Sequence, residues 1–192
     1  MAIERLETRI EGVGLLQAAV LGDERGFFTE TYRRSEFADL GIVEEMVQDN
    51  HSRSKRGIVR GMHFQVGDGA SKLVRCGRGH IFDVMVDIRR GSPTYGEWEA
   101  FHLTEDNGLI AYCPIGFAHG FCVVSELADV FYKQSNYYSG GTERGFKYDD
   151  PEVAIDWPLP AAELIPSQRD ATAPSLAEVA PGLPFEYRPT SG

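Results

Sequence analysis

The sequence is poor in cysteine, poor in bases and without a long apolar run, and each shortage closes off a class of protein. Cys76, Cys113 and Cys122 are odd in number and form no Cys-x-x-Cys pair. A disulfide framework or zinc ribbon is therefore not expected, and a reducing, cytoplasmic setting is. No apolar stretch approaches bilayer-spanning length, so no membrane partner is expected. Met1 to Glu11 carries Glu4, Arg5, Glu7 and Arg9 and lacks the apolar core of a signal peptide, which fits the same compartment. With 29 acidic against 19 basic residues the net charge is -10, the wrong balance for a general nucleic-acid binder. Internal repeats and low-complexity segments are also missing.

What is present is a globular composition. The 192 residues are 42% apolar and 11% aromatic, which suits one domain, 1–192, with a sizeable core. The scarce bases are concentrated: Arg53, Lys55, Arg56, Arg60, Lys72, Arg75 and Arg78 lie between His51 and Arg78, with only Asp68 opposing them. Such a block in an acidic chain suits a local anion site such as phosphate, or else a solvated basic face.

Punctuation by glycine and polar residues sets the fold class. Strands are expected over Ile58–Gln65, Lys72–Cys76, His80–Ile88, Glu97–Leu103, Leu109–Cys113, Gly120–Val124 and Val130–Gln134, with turns at Gly67-Asp68-Gly69, Gly77-Arg78-Gly79, Gly91-Ser92-Pro93 and Glu105–Gly108. Ahead of them the expectation is extended chain over 1–22, a turn at Gly22–Gly26 and a β-rich Phe27–Tyr32. A short helix over Glu36–Leu40 would be capped by Ser35 and stopped by Gly41, followed by a strand over Val43–Gln48 and a polar turn at Asp49–Ser52. Short strands with few helical periods indicate an all-β sandwich or barrel. In His80–Ile88 one face is Phe82, Val84, Val86 and Ile88. The other mixes Ile81 and Met85 with Asp83 and Asp87, and would look either into a polar cavity or out to solvent. Beyond Pro151 the chain is proline-rich. There it should form short helical turns and an extended tail, from about 171, lying over the β-structure, with its last few residues disordered.

Arg60-Gly61-Met62-His63-Phe64-Gln65 is the chemical centre of the sequence. An imidazole, a guanidinium and, at Lys72, an ammonium fall close together. The set suits proton abstraction beside an anionic group; His63 alone fits a buried structural histidine equally well. Gly57 and His63 (Gly-x5-His), with Gly108, Pro114, Gly116 and His119 (Gly-x5-Pro-x-Gly-x2-His), resemble the two halves of the cupin signature. Metal-binding cupins continue the first half as His-x-His and a glutamate. Here Gln65 takes the second position and no glutamate follows before Gly77, so the donor set is poor for a metal. The resemblance implies an all-β, cupin-like jelly-roll β-barrel with a few short helices.

Seven blocks in order then narrow the likeness: Gly22–Phe28, Val47–Ser52, Val59–Gln65, Lys72–Cys76, Val86–Arg89, Gly116–Phe121 and Tyr132-Lys133. They resemble the motif series of the dTDP-4-dehydrorhamnose 3,5-epimerase family. The family inverts C3 and C5 of dTDP-4-dehydro-6-deoxy-glucose, on the way to dTDP-L-rhamnose, without cofactor or metal. The resemblance implies His63 as base, Asp170 as its orienting carboxylate, Lys72 as positive charge near the enolate oxygen, and Tyr132 as proton donor on the opposite face. It implies substrate contacts from Arg25, Glu30, Gln48, Asp49, Asn50, Arg60, His119, Glu143 and Arg169, the last standing where the family usually has lysine. Tyr138 matches an aromatic position near the nucleotide, where it would stack on the base or serve in ordinary packing. It also implies a homodimer, in which Arg25 or Glu30 could act across the interface. Strict alternation places Arg60 and His63 on opposite strand faces. A bulge at Gly61 would bring them together; otherwise Arg60 serves a neighbouring subunit. Runner-up readings are an epimerase acting at C5 or C3 alone, a metal-dependent cupin oxygenase, and a non-catalytic sugar- or nucleotide-binding cupin.

Overall fold

The computed structural model describes residues 3–189. In chain order its elements are β1 (Ile3–Leu6), β2 (Gly14–Ala18), β3 (Val20–Asp23), β4 (Gly26–Thr29), α1 (Arg34–Asp39), β5 (Gln48–Lys55), β6 (Ile58–Gln65), β7 (Lys72–Arg78), β8 (His80–Asp87), β9 (Trp98–Thr104), β10 (Leu109–Cys113), β11 (Phe117–Val123), β12 (Leu127–Gln134), β13 (Glu143–Gly145), β14 (Ile165–Pro166), α2 (Gln168–Ala171) and α3 (Leu176–Val179). One sheet runs β1-β2-β10-β7-β12-β5. The other runs β13-β6-β11-β8-β9, with β14 parallel to β6, and β3 and β4 form a separate hairpin. The fold is all-β, as the strand punctuation requires. The expected barrel needs one correction: the two sheets are not closed into a ring, because β1, β5, β13 and β9 end their sheets without pairing across to the other.

Side-chain alternation explains the layering. The core between the sheets takes Val74, Cys76, Ala111 and Val130 from the first sheet and Ile81, Met85, Phe117 and Phe121 from the second. The outer face of the second sheet, with Met62, Phe64, Phe82, Val84 and Val86, is covered by Phe146, Val153, Leu176, Leu183 and Phe185. The proline-rich tail therefore lies over the sheet, packing on it through Phe185 and tied to Arg90 at Tyr187; residues 190–192, for which the expectation is disorder, fall outside the described chain. The outer face of the first sheet is covered by Phe37 of α1 and Ile42. β8 is buried from Ile81 through Asp87, so its mixed face of Ile81, Asp83, Met85 and Asp87 looks into the molecule and not out to solvent. No helix among the described residues is long and apolar enough to cross a membrane.

Three local expectations fail for physical reasons. Residues 43–47 are irregular, and Asp49–Ser52 lies inside β5, paired in full register with β12. The polar side chains of β5 suit its edge position: Asp49, His51, Arg53 and Lys55 face solvent, and Gln48, Asn50, Ser52 and Ser54 point inward. Ser35 is not the cap of α1; it lies within the helix, whose N-cap is Arg33 without a side-chain bond.

Candidate functional site

The strand carrying His63 is irregular where the sequence conflict demanded it. In the β6–β11 pairing, His63 faces His119 and Arg60 faces Phe121, so three steps along β6 match two along β11. The extra residue falls at Gly61, with φ +136, and the Gly61–Met62 peptide is cis. A side chain at Gly61 would meet Gly120 Cα at 2.5 Å and His119 O at 3.0 Å, so only glycine admits this approach. The result puts Arg60 and His63 on one face, leaving Met62 and Phe64 in the outer core.

That face lines a cavity of about 460 Å³ between the sheets. Nine of the expected site residues meet there: His63, Asp170, Lys72, Tyr132, Arg60, His119, Tyr138, Glu143 and Arg169. His63, on β6, and Tyr132, on β12, come from opposite sheets. His63 Nε2 lies 2.6 Å from Asp170 Oδ1, which leaves Nδ1 as the ring nitrogen without a partner among the described residues. Asp170 is delivered by α2, a single turn whose start is fixed by Ser167 Oγ accepting from Asp170 N at 3.1 Å. Burial pushes the Asp170 carboxyl up, but the bond and charge of His63, Ser167 and the Gly61 amide outweigh it and hold the carboxyl below its usual range.

Electrostatics differ around the cavity. Burial lowers the Lys72 ammonium, against the pull of Cys113, Glu143 and Asp83. Burial also raises the Tyr132 phenol, helped by Glu143 and Tyr138 and opposed by Arg60, so it stays protonated and able to donate at neutral pH. His119 is lowered by burial and by the positive charges of Lys72 and His63, although its Nε2 sits 2.8 Å from Asp83 Oδ1. At the mouth, Glu143 Oε2 accepts from the Tyr138 hydroxyl at 3.1 Å and from Arg169 Nη1. Arg60 Nε donates to Ser54 Oγ at 3.0 Å. Gln65, at the second metal position of the cupin pattern, is engaged through Oε1 by Ser139 N at 3.1 Å. Among the described residues no group of three or more His, Cys, Asp or Glu is placed to hold a metal ion.

Five expected contacts do not line this cavity. Gln48 Oε1 accepts from Tyr138 N at 2.8 Å, and its amide donates to Asn50 Oδ1, so both stand behind the Tyr138 loop. Asp49 is on the outward face of β5, paired with Lys133 at 2.9 Å. Arg25 is at the tip of the β3–β4 hairpin, exposed and paired with Asp23. Glu30 pairs with Arg33 at 2.6 Å and keeps one buried oxygen without a partner among the described residues. Conversely, Ser52, Gln134, Phe121 and Ser167 line the cavity although none of them is among the expected contacts. Ser167 had a readable signal, a serine three residues ahead of an acid at a helix start. Asp83 had a weaker one, a carboxylate on the inward side of an apolar strand.

The chain matches the dTDP-4-dehydrorhamnose 3,5-epimerase family over residues 7–178. It is 46% identical over 173 residues to the dTDP-4-dehydrorhamnose 3,5-epimerase of Salmonella typhimurium, covering 89% of this chain and 94% of that one. It is 42% identical to a dTDP-4-dehydrorhamnose 3-epimerase of Streptomyces niveus, covering 91% of this chain and 86% of that one. The structure superposes with a TM-score of 0.94 and 40% identity on the Legionella pneumophila dTDP-6-deoxy-D-glucose-3,5-epimerase solved with dTDP-4-keto-L-rhamnose, covering 98% of this chain and 100% of that one. With a match across most of its length and a cavity that gathers the motif residues between two sheets, the chain belongs to the dTDP-4-dehydrorhamnose 3,5-epimerase family of carbohydrate isomerases.

Proposed function

We propose that this protein epimerises dTDP-4-dehydro-6-deoxy-D-glucose at C3 and C5, giving dTDP-4-dehydro-L-rhamnose, with neither metal nor cofactor. The observation that carries the reading is the placement of His63 and Tyr132 on opposite sheets across one cavity, with Asp170 2.6 Å behind the imidazole. Protons at C3 and C5 are acidic because they flank the C4 ketone. His63 removes each as base, and Asp170 orients the ring and stabilises the imidazolium that forms. Lys72 offsets the charge that develops on the enolate oxygen. Tyr132 returns a proton to the other face, so the centre inverts. One residue serving both steps would return the proton to the face it left.

Arg60 and Arg169 supply positive charge for the diphosphate, Tyr138 stacks on the base, and His119 and Glu143 bind the sugar end and order the mouth. Metal independence is supported by the donor set: His63 is taken by Asp170, His119 by Asp83 and Gln65 by Ser139. Dialysis against EDTA should leave turnover unchanged; loss restored by a divalent ion would refute this part. Proton NMR of the substrate with enzyme in D2O tests the rest, with exchange and inversion expected at both carbons. The Streptomyces niveus relative is a 3-epimerase, and exchange with inversion at C3 alone would move this chain to that reading.

The working unit is a cytoplasmic homodimer of one-domain chains. The β3–β4 hairpin exposes Val20, Leu21, Phe27 and Phe28 by 43% to 66%, more apolar surface than a free two-stranded ribbon tolerates. It carries Arg25 at its tip and leads into Glu30, two expected substrate contacts that do not line their own chain's cavity. A second copy of the chain that buries this hairpin would receive both residues at its site.

A further inference from the structure

Asp83 is fully buried in the middle of β8, within the otherwise apolar run Ile81–Val86. Burying a carboxylate is costly unless hydrogen bonds and opposite charge compensate for it. The compensation is incomplete within the fold. Oδ1 takes the His119 Nε2 contact at 2.8 Å, and Oδ2 is buried with no partner among the described residues. A side chain kept only for packing would not need this charge.

Asp83 reaches the cavity through His119, which lines it together with Lys72; the Lys72 side chain makes no hydrogen bond or ion pair among the described residues, and Asp83 is one of three groups whose charge favours its ammonium. Around Lys72 stand Cys113 on β10, Glu143 on β13, Asp83 on β8 and His119 on β11, while His63 on β6 and Tyr132 on β12 line the same space. Burial pushes the Cys113 thiol up to about 12, so it brings no negative charge at neutral pH. Glu143 is already taken up by Arg169 and the Tyr138 hydroxyl. Asp83 remains as the carboxylate with an oxygen and a charge to spare. A carboxylate only accepts hydrogen bonds, so it also fixes the His119 tautomer with the proton on Nε2 and a lone pair on Nδ1.

We propose that Asp83 is a positioning residue of the epimerase site, acting as the counter-ion that keeps Lys72 an ammonium and as the anchor that sets the His119 tautomer. The role in turnover rests on the functional reading above; the effect on Lys72 does not. Asp83→Asn keeps an acceptor for His119 and removes the charge. The ammonium of Lys72, already disfavoured by burial, then loses a stabilising partner, so its titration moves to lower pH.

The test follows the Lys72 titration directly, by 13C NMR of protein labelled at lysine Cε, with the signal assigned through Lys72→Arg. In Asp83→Asn the Lys72 midpoint should fall by about one pH unit or more. The alkaline limb of kcat should move the same way by a similar amount, with dTDP affinity by calorimetry unchanged. Asp83→Glu keeps the charge and displaces it by one methylene. Its Lys72 midpoint should stay near that of the wild type while kcat falls, and it decides the matter if the Asn variant does not fold. A wild-type Lys72 midpoint in Asp83→Asn, or a lowered one in Asp83→Glu, overturns the proposal. If the wild-type protein fails to exchange protons of dTDP-4-dehydro-6-deoxy-D-glucose, the functional reading falls instead, and the titration, which needs no substrate, still judges Asp83.

Discussion

His63 and Tyr132 should fail in different ways when altered. Asparagine keeps a polar group of similar reach but is no base near neutral pH, so His63→Asn should abolish both deuterium uptake and inversion. Tyr132→Phe leaves the base in place and removes the donor. It should still wash deuterium from D2O into C3 or C5 while forming little epimer, read by proton NMR; inversion at the wild-type rate would assign the acid elsewhere. Because Asp170 acts through the ring it contacts at 2.6 Å, the Asp170→Asn and His63→Asn losses should be strongly non-additive. Arg60 differs in kind: it is a permanent cation bonded only to Ser54 Oγ among the described residues. Arg60→Ala should weaken dTDP binding by about 1.5–3 kcal/mol in calorimetry, with a smaller effect on kcat. Unchanged affinity would place the diphosphate elsewhere. These residues were legible because acid–base side chains stand out against apolar neighbours. For Asp83 the sequence does not choose between cavity and solvent, since alternation assigns a face to a residue but does not say what that face meets.

At the scale of elements, β6 carries the decisive irregularity. Its glycine was readable as a bulge because two functional side chains could not otherwise share a face, and the β6–β11 register shift places it there. Gly61→Ala forces a side chain to within 2.5 Å of Gly120 Cα at a φ of +136. It should cost about 2 kcal/mol or more in urea unfolding. If the strand instead relaxes to regular alternation, Arg60 leaves the cavity and dTDP affinity falls with stability. A variant equal to wild type in both would refute the account of the bulge. β5 shows where sequence reading runs out. Asp49-Asn50-His51-Ser52 has the composition of a turn, yet all four are strand residues, paired with Lys133, Tyr132, Phe131 and Val130. Turn propensity is local, and the register of the neighbouring strand overrides it. The inward side chains of this edge strand can be polar because they meet polar partners: Gln48 accepts from Tyr138 N and donates to Asn50, Ser54 accepts from Arg60, and Ser52 lines the cavity.

At the scale of the molecule, the open question in the sequence was which subunit each site is built from. Within one chain, His63, Tyr132, Lys72 and Asp170 line a single cavity, and Arg25 lies apart on an exposed apolar hairpin. The proposed dimer resolves the separation if the hairpin of one copy reaches the cavity of the other. Phe28→Asp places a charge on the surface that would be buried, so it should shift the protein to monomer in light scattering and reduce activity while leaving the fold intact by circular dichroism. Mixing gives the sharper result. Arg25→Ala and His63→Asn chains should each be nearly inactive alone. If Arg25 acts across the interface, a heterodimer contains one site with both residues intact and one with neither. Random exchange of equal amounts makes half the dimers mixed, so about one quarter of wild-type activity should return. If Arg25 serves its own chain, every site in the mixture lacks one of the two residues. Activity then stays at the level of the single variants, and the hairpin is left as an interaction surface without a part in the chemistry.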